Sequence, residues 1–230
     1  MGTTSGHPSS IRRLRHAAVG KRSLLLILAL LSGGAILSLP PITTRCLRSA
    51  GRFLVVQHPV SKADAIVIAV DVGSAGVLEA SDLVHQGVSA KVAVFDEAVS
   101  TADREFLRRG LPYEHRTSIL IRQLHSLGIN SIEEIPQTIL GSEQEGEILP
   151  AWCKQQGFHT VVLVTSPDHS RRLCRILRRS LKAHSLTIIV RSSSYSDFDP
   201  DTWWKSHNGV KTATFEFEKL LVDTVEHPLN

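Results

Sequence analysis

The sequence predicts an α/β protein, a doubly wound, mainly parallel sheet preceded by one N-terminal transmembrane helix. Three observations carry this expectation. Short β-branched runs alternate with amphipathic stretches in the order β-α-β-α(α)-β-α-β-α-β-α, a pattern that parallel strands satisfy through right-handed crossovers. The strongest unit, Thr160–Val164 (TVVLV), runs straight into Thr165-Ser166-Pro167 and a helical stretch. No charged residue lies between Arg22 and Arg45, a gap of 22 positions. A chain of 230 residues with 42% apolar and 21% charged residues fits one such domain plus an appendage, and excludes a disordered or collagen-like chain.

Residues 1–22 form a basic tail with Arg12, Arg13, Arg15, Lys21, Arg22 and no acid. Without these five charges the formal net charge of +4 becomes −1 for the rest of the chain. A nucleic-acid surface needs basic residues spread over the folded part, so no nucleic-acid partner is expected. The stretch Ser23–Leu39 reads SLLLILALLSGGAILSL. As a helix it reaches roughly 26 Å at about 1.5 Å per residue, a little short of a hydrocarbon core of about 30 Å. Pro40 and Pro41 end it, which gives a membrane anchor over 23–41. A basic flank is retained in the cytoplasm, so the rest of the chain falls on the outer side. In a bacterium that is a single-pass inner-membrane protein with a periplasmic domain. A cleaved signal peptide and a buried core helix are the competing readings. The small residues Ser32 to Ala35 could host cleavage, but would leave a long hydrophobic mature end, which favours the anchor.

After a linker over 42–62, the α/β domain is expected over 63–227. Ala63–Val70 (ADAIVIAV) has the continuous apolar character of a strand buried on both faces. A helix follows over Gly76–Gln86, with Val77, Leu78, Leu83 and Val84 on its inner face and Gly87 as its stop. Lys91–Phe95 is the next strand, followed by helices over Ser100–Arg109 and Arg116–Leu127. A strand at Ser131–Ile135 precedes a helix over Ser142–Gln156, in which Pro150 argues against unbroken regularity. After Thr160–Val164, Ser166 suits an N-cap and Pro167 a first helical residue, with the helix running to about Lys182. Leu186–Val190 is the last strand. Thr212–Val225 is the last helix, turning Phe215, Leu220 and Leu221 inward.

Ligands of open parallel sheets gather beyond the carboxyl ends of the strands, and that rule selects the candidate residues. The first strand leads into Asp71-Val72-Gly73-Ser74-Ala75-Gly76, whose glycines allow a tight turn and whose amides could cradle an anion. This is not the dinucleotide pattern GxGxxG, turn chemistry alone also accounts for the glycines, and the cofactor is left unassigned. Asp96-Glu97 could meet a ribose or a metal but read more simply as solvated loop acids. Ser142 and Glu145 stand at the spacing of a capping box, and could equally contact a ligand.

The most specific segment is Thr165-Ser166-Pro167-Asp168-His169-Ser170-Arg171-Arg172. With Ser166 as cap, His169 falls in the first turn, where the helix dipole opposes an imidazolium and favours a neutral base or ligand donor. Arg172 lies three residues on, on the same face, as a partner for phosphate or carboxylate. The alternative is that His169 bonds a loop carbonyl while Arg171, Arg172, Arg175, Arg178 and Arg179 make a solvated face. No Ser-His-Asp triad is expected, because no GxSxG elbow is present and capping accounts for Ser166. Trp203-Trp204, with His207 beyond, reads as packing on the last helix or as a lid. Cys46, Cys153 and Cys174 have neither CxxC nor zinc spacing, so no metal site follows. Cys153 and Cys174 are expected as buried thiols, with pairing under oxidation as the alternative. The candidate site joins Asp71 and His169 as catalytic residues with Gly73, Ser74, Ser142, Glu145, Thr165, Ser166 and Arg172 around a ligand.

The motifs in this order resemble the YdcF/SanA/ElyC family of bacterial envelope proteins over about residues 53 to 225. Ala63-Asp64-Ala65-Ile66-Val67-Ile68 is similar to its AD-x-IVV-L-G opening, Ser142-Glu143-Gln144-Glu145 to its T-x-E-N/E segment, and Val164 to Arg172 to its VTS-x-x-H-x-x-R. Glu216 to Lys219 is similar to its terminal E-x-x-K. The resemblance implies a Rossmann-like fold, often behind one membrane helix, and a role in envelope integrity, peptidoglycan or lipid-carrier metabolism. It also implies a small phosphorylated or nucleotide-like ligand, with S-adenosylmethionine bound in at least one member. The chain departs from the pattern at the glycine cluster, here Ala69-Val70-Asp71-Val72-Gly73-Ser74, at an Arg that has no counterpart among Val77 to Asp82, and at Ser142 in place of Thr. These departures keep open a second expectation, a non-catalytic envelope scaffold with a degenerate site.

Overall fold

Five strands, β1 (Ala65–Ile68), β2 (Val92–Glu97), β3 (Ile132–Ile139), β4 (Thr160–Thr165) and β5 (Thr187–Ser192), form one all-parallel sheet in the order β3-β2-β1-β4-β5. The structure is a computed structural model that describes residues 40–183 and 185–228. The expected basic tail and most of the expected anchor lie outside the described residues. Among the described residues no helix is long and apolar enough to cross a membrane.

The helices are α1 (Pro40–Leu54), α2 (Gly73–His85), α3 (Thr101–Arg108), α4 (Arg116–Ser126), α5 (Ser142–Gln156), α6 (Ser170–Ser180) and α7 (His207–Glu226). Short 3-10 turns lie at Leu181–Ala183 and Trp203–Lys205. The α/β unit begins at Arg48. The central strands are buried end to end, and their side chains alternate between two cores. Ala65, Val67, Val161 and Leu163 face Leu149, Trp152 and Cys153 of α5 and Leu173 and Leu177 of α6. Ile66, Ile68, Val92, Val94, Val162 and Val164 face Val77, Ala80 and Leu83 of α2 and Leu120 and Leu124 of α4. Helices on both faces of a parallel sheet make the fold Rossmann-like.

Several expectations change. The stretch expected as a linker over 42–62 contains most of α1, whose Leu54 is buried with Phe198, Ala213 and Leu220. Pro40 starts this helix, a position where its missing N–H costs nothing. Helix α2 begins at Gly73, three residues early, and Leu78 points outward at 41% exposure. β3 runs four residues past Ile135, because its register against β2 shifts between Phe95 and Asp96 and Thr138 then pairs with Asp96. Helix α5 passes through Pro150 unbroken. Helix α6 starts at Ser170, not behind a Ser166 cap, because the Ser166 side chain bonds Asp71 instead. Helix α7 starts five residues early, and Phe215 and Leu221 are exposed while Glu216, Leu220 and Asp223 face inward. Two of the arginines that the alternative reading placed on a solvated face explain that inversion. Arg175 Nε lies 2.6 Å from Asp223 and Arg179 Nη1 2.5 Å from the same carboxylate, so α7 docks on α6 through ion pairs. Trp203 packs on α7 against Phe217. Cys153 and Cys174 are buried free thiols, and burial pushes the Cys153 thiol up to about 12.

Candidate functional site

The strand order reverses between β1 and β4, and the carboxyl ends of those two strands are tied by one carboxylate. Asp71 accepts the Thr165 hydroxyl at 3.0 Å, the Ser166 amide at 2.9 Å and the Ser166 hydroxyl at 2.5 Å. Thr165 is fully buried and Asp71 exposed. These bonds fix the loop that follows β4, and so aim Asp168 and His169.

His169 is 3% exposed and joins three elements. Its Nε2 lies 3.0 Å from Ser142 Oγ at the first turn of α5. Its Nδ1 lies 3.2 Å from Glu216 Oε2, on the inner face of α7. Arg172 Nε donates to the same Glu216 oxygen at 3.1 Å, and its Nη2 is 3.0 Å from His169 Nδ1. Lys219 Nζ donates to Glu216 Oε1 at 2.8 Å. Burial alone would raise the Glu216 carboxyl, but His169, Arg172 and Lys219 together hold it far below the usual carboxylate range. Nδ1 thus faces an acceptor, the Glu216 carboxylate, and a donor, the Arg172 guanidinium, so the tautomer decides the direction at Ser142. With the proton on Nδ1 and turned to Glu216, Nε2 accepts from Ser142 and the chain of hydroxyl, imidazole and carboxylate can pass a proton from Ser142 to His169; with Nδ1 accepting from Arg172, Nε2 donates to Ser142 instead.

This chain departs from the expectation of no triad: the hydroxyl beside His169 is Ser142, while Ser166 bonds Asp71. The cap at α5 is Gly141, with no side-chain bond to the helix amides, so Ser142 and Glu145 do not form a capping box. Glu145 is fully buried and neither carboxylate oxygen has a hydrogen-bond partner. Burial and the nearby Asp71 charge push its carboxyl well above the usual range, with the Val70 amide and then Arg172 pulling the other way. Glu145 therefore does not reach the surface as a ligand contact. Arg172 is not a free cation, since Glu216 already neutralises it. Glu216 and Lys219 belong to the site, and the sequence signal for them was the E-x-x-K spacing rather than any local pattern.

Two other expected members sit elsewhere. Gly73 has a positive φ of 51°, and a Cβ there would come within 3.3 Å of Arg116 Nη2. Ser74 lines a groove of about 490 Å³ with Leu78, Arg122 and Leu127, away from His169. Asp96 and Glu97 lie in β2, where Thr138 bonds Asp96 at 2.5 Å and Arg116 pairs with Glu97 at 3.3 Å.

Two clefts flank the cluster. One of about 460 Å³ is lined by Asp71, Asp168, Asp197, Ser166, Tyr195 and Asn208, among others, and by no Lys or Arg. The other, about 390 Å³, is lined by Arg172 and Lys219, by four carboxylates, Glu143, Glu218, Asp223 and Glu226, and by Phe215 and Val222. Cations line only this second wall, among carboxylates that outnumber them. Among the described residues no group of three or more His, Cys, Asp or Glu is arranged to hold a metal ion. No known family model matches this chain. No curated protein matches it either.

Proposed function

We propose that this chain is a single-pass envelope protein of the YdcF/SanA/ElyC type, held in the bacterial inner membrane by residues 23–41. Its periplasmic domain binds and processes a phosphorylated or nucleotide-like precursor of cell-wall or lipid-carrier metabolism. The observation that carries this reading is convergence. Ser142, His169, Arg172, Glu216 and Lys219 come from three motif segments spread over 78 positions of sequence, yet lie within hydrogen-bond distance of one another around one imidazole. A core needs no such polar cluster, since buried ion pairs add little stability over apolar packing. The anionic group of the precursor lies against Arg172 and Lys219, and its hydroxyl-bearing part faces the acidic cleft at Asp71.

The test is a thermal-shift screen of the full chain in detergent against nucleotides, S-adenosylmethionine and undecaprenyl phosphate, beside Lys219→Ala. Stabilisation of the wild type by one of them, reduced in Lys219→Ala, is expected. A reporter fused after Asn230 is expected to be active only on the outer side, and activity in the cytoplasm overturns the location. One observation favours the scaffold reading instead, namely that Arg172 and Asp71 are already satisfied within the protein. Failure of all three ligands to stabilise a folded chain selects that reading.

A further inference from the structure

We propose that Ser142 is a nucleophile and that Ser142, His169 and Glu216 cleave a carboxylic ester. This rests on the reading of the His169 cluster as a processing site and deepens it by naming the bond. Three observations meet at one atom, Ser142 Oγ. It lies 3.0 Å from Nε2 of a buried imidazole whose other nitrogen faces the ionised Glu216 carboxylate at 3.2 Å and the Arg172 guanidinium at 3.0 Å. Ser142 is half-buried, while His169 and Glu216 behind it are buried. It stands at the first turn of a 15-residue helix, ahead of that helix's first backbone bond, Glu145 N–H to Gly141 carbonyl. The amides of that turn have no intrahelical acceptor, and Gly141 has no side chain to cap them.

The chemistry follows from that placement. Ser142 Oγ attacks the ester carbonyl carbon while its proton passes to His169 Nε2, and the carbonyl oxygen becomes an oxyanion. The free amides that follow Ser142 face developing negative charge at the positive end of α5. The tetrahedral intermediate collapses, the alkoxide leaves, and it takes the proton from Nε2. A water molecule then gives its proton to Nε2 and its oxygen to the acyl carbon. The acid departs, and the proton returns to Ser142. Glu216 touches no reacting atom. It is a positioning residue: the reaction runs from the tautomer whose Nδ1 proton points to Glu216 and not from the one whose Nδ1 accepts from Arg172, and Glu216 offsets the charge that forms on the ring. Arg172 and Lys219 hold Glu216 ionised. A phosphoryl group as the reacting centre fits less well, because it spreads charge over three oxygens and the nearby cations are already paired with Glu216.

The experiment uses the full chain in detergent with a fluorophosphonate probe, which marks activated serines, and with p-nitrophenyl butyrate as a plain ester. The probe is expected on Ser142, located by mass spectrometry. Labelling is lost in Ser142→Ala and falls at least about 100-fold in His169→Gln. In Glu216→Gln it falls about 10-fold or more and is partly restored in Glu216→Asp, and the pH dependence of labelling changes with the Gln variant. A purely structural Glu216 would leave that pH profile unmoved in the variants that fold. Ser142 lies at a helix start where Ala is tolerated, so a folded Ser142→Ala control is assured by its circular dichroism. Absence of label from Ser142, or an unchanged rate in folded His169→Gln, overturns the proposal. The precursor reading fails separately. Stabilisation by undecaprenyl phosphate that persists in Ser142→Ala without any labelling of the wild type keeps the binding site and removes the nucleophile. Labelling of Ser142 with no precursor bound keeps the nucleophile and removes the precursor.

Discussion

Two carboxylates near one histidine are driven in opposite directions, and the difference is set by what each can reach. Glu216 finds an imidazole and two cations and stays ionised, whereas Glu145 is enclosed with only the Val70 amide and the charge of Arg172 to oppose its burial, and is pushed towards its neutral form. The raised carboxyl of Glu145 has a signed consequence. As pH climbs past the ordinary Glu value of about 4.3, the unfolded chain releases this proton and the folded chain keeps it, so folding loses stability with rising pH at this position. Glu145→Gln has no proton to release. Its stability is expected within about 1 kcal/mol of wild type near pH 4 and to gain on wild type as pH rises towards 8, as measured by urea unfolding at both pH values. Variants that instead weaken steadily relative to wild type across that range would mean the folded carboxyl is ionised and paired. The sequence placed Glu145 correctly at the start of α5 but could not show its burial. Burial depends on the crossing of α5 with β1 and α6, which no local spacing encodes.

At the scale of elements, the junction of α5 and α6 depends on a missing side chain. A Cβ on Gly146 would come within 2.5 Å of Ile176 Cγ2, whereas a Cβ on Gly141 would meet nothing within 4 Å, and Gly141 has extended backbone that any residue adopts. Gly146→Ala is therefore expected to cost about 1–3 kcal/mol by forcing the helices apart, with Gly141→Ala close to neutral, both measured by urea unfolding. Helix α7 is held differently. Asp223 is 5% exposed and bridges Arg175 and Arg179 of α6, so Asp223→Asn removes the charge both guanidiniums face, while Arg179 keeps Glu143 and Arg175 the His227 carbonyl, and is expected to cost about 1–3 kcal/mol. A loss under 1 kcal/mol would show that α7 is fixed by its apolar contacts alone. This explains why Phe215 and Leu221 were expected inward. A helix that docks through carboxylates carries an inner face that hydropathy reads as solvent.

At the scale of the whole molecule, the strand sequence, the parallel sheet and the helices on both faces were legible because each central strand is a continuous apolar run. Boundaries failed where a side chain had a distant partner. Ser166 reads as a cap until Asp71, 95 positions away, takes its hydroxyl. The triad-like chain was illegible for the same reason, since Ser142, His169 and Glu216 are brought together only by tertiary folding. The acid response belongs to this scale too. Glu216 and Asp223 both titrate below their usual values in the folded state, chiefly against burial and in favour of their cationic partners. Their stabilisation is complete above the unfolded carboxylate values and is lost as pH falls through the lowered ones, so Tm is expected to drop by several degrees between pH 6 and pH 3. Glu216→Gln should flatten that drop. The two rims of the sheet have a further consequence. On the outer strand β3, Pro136 has no amide to offer, and Glu133 and Glu134 place charge along the strand. At the opposite rim, the His58 amide bonds the Val190 carbonyl, the Val190 amide bonds the His58 ring and Ser192 bonds the Val56 carbonyl, so β5 is already occupied by its own chain. Both rims are thereby blunted against edge-to-edge pairing with a neighbouring copy.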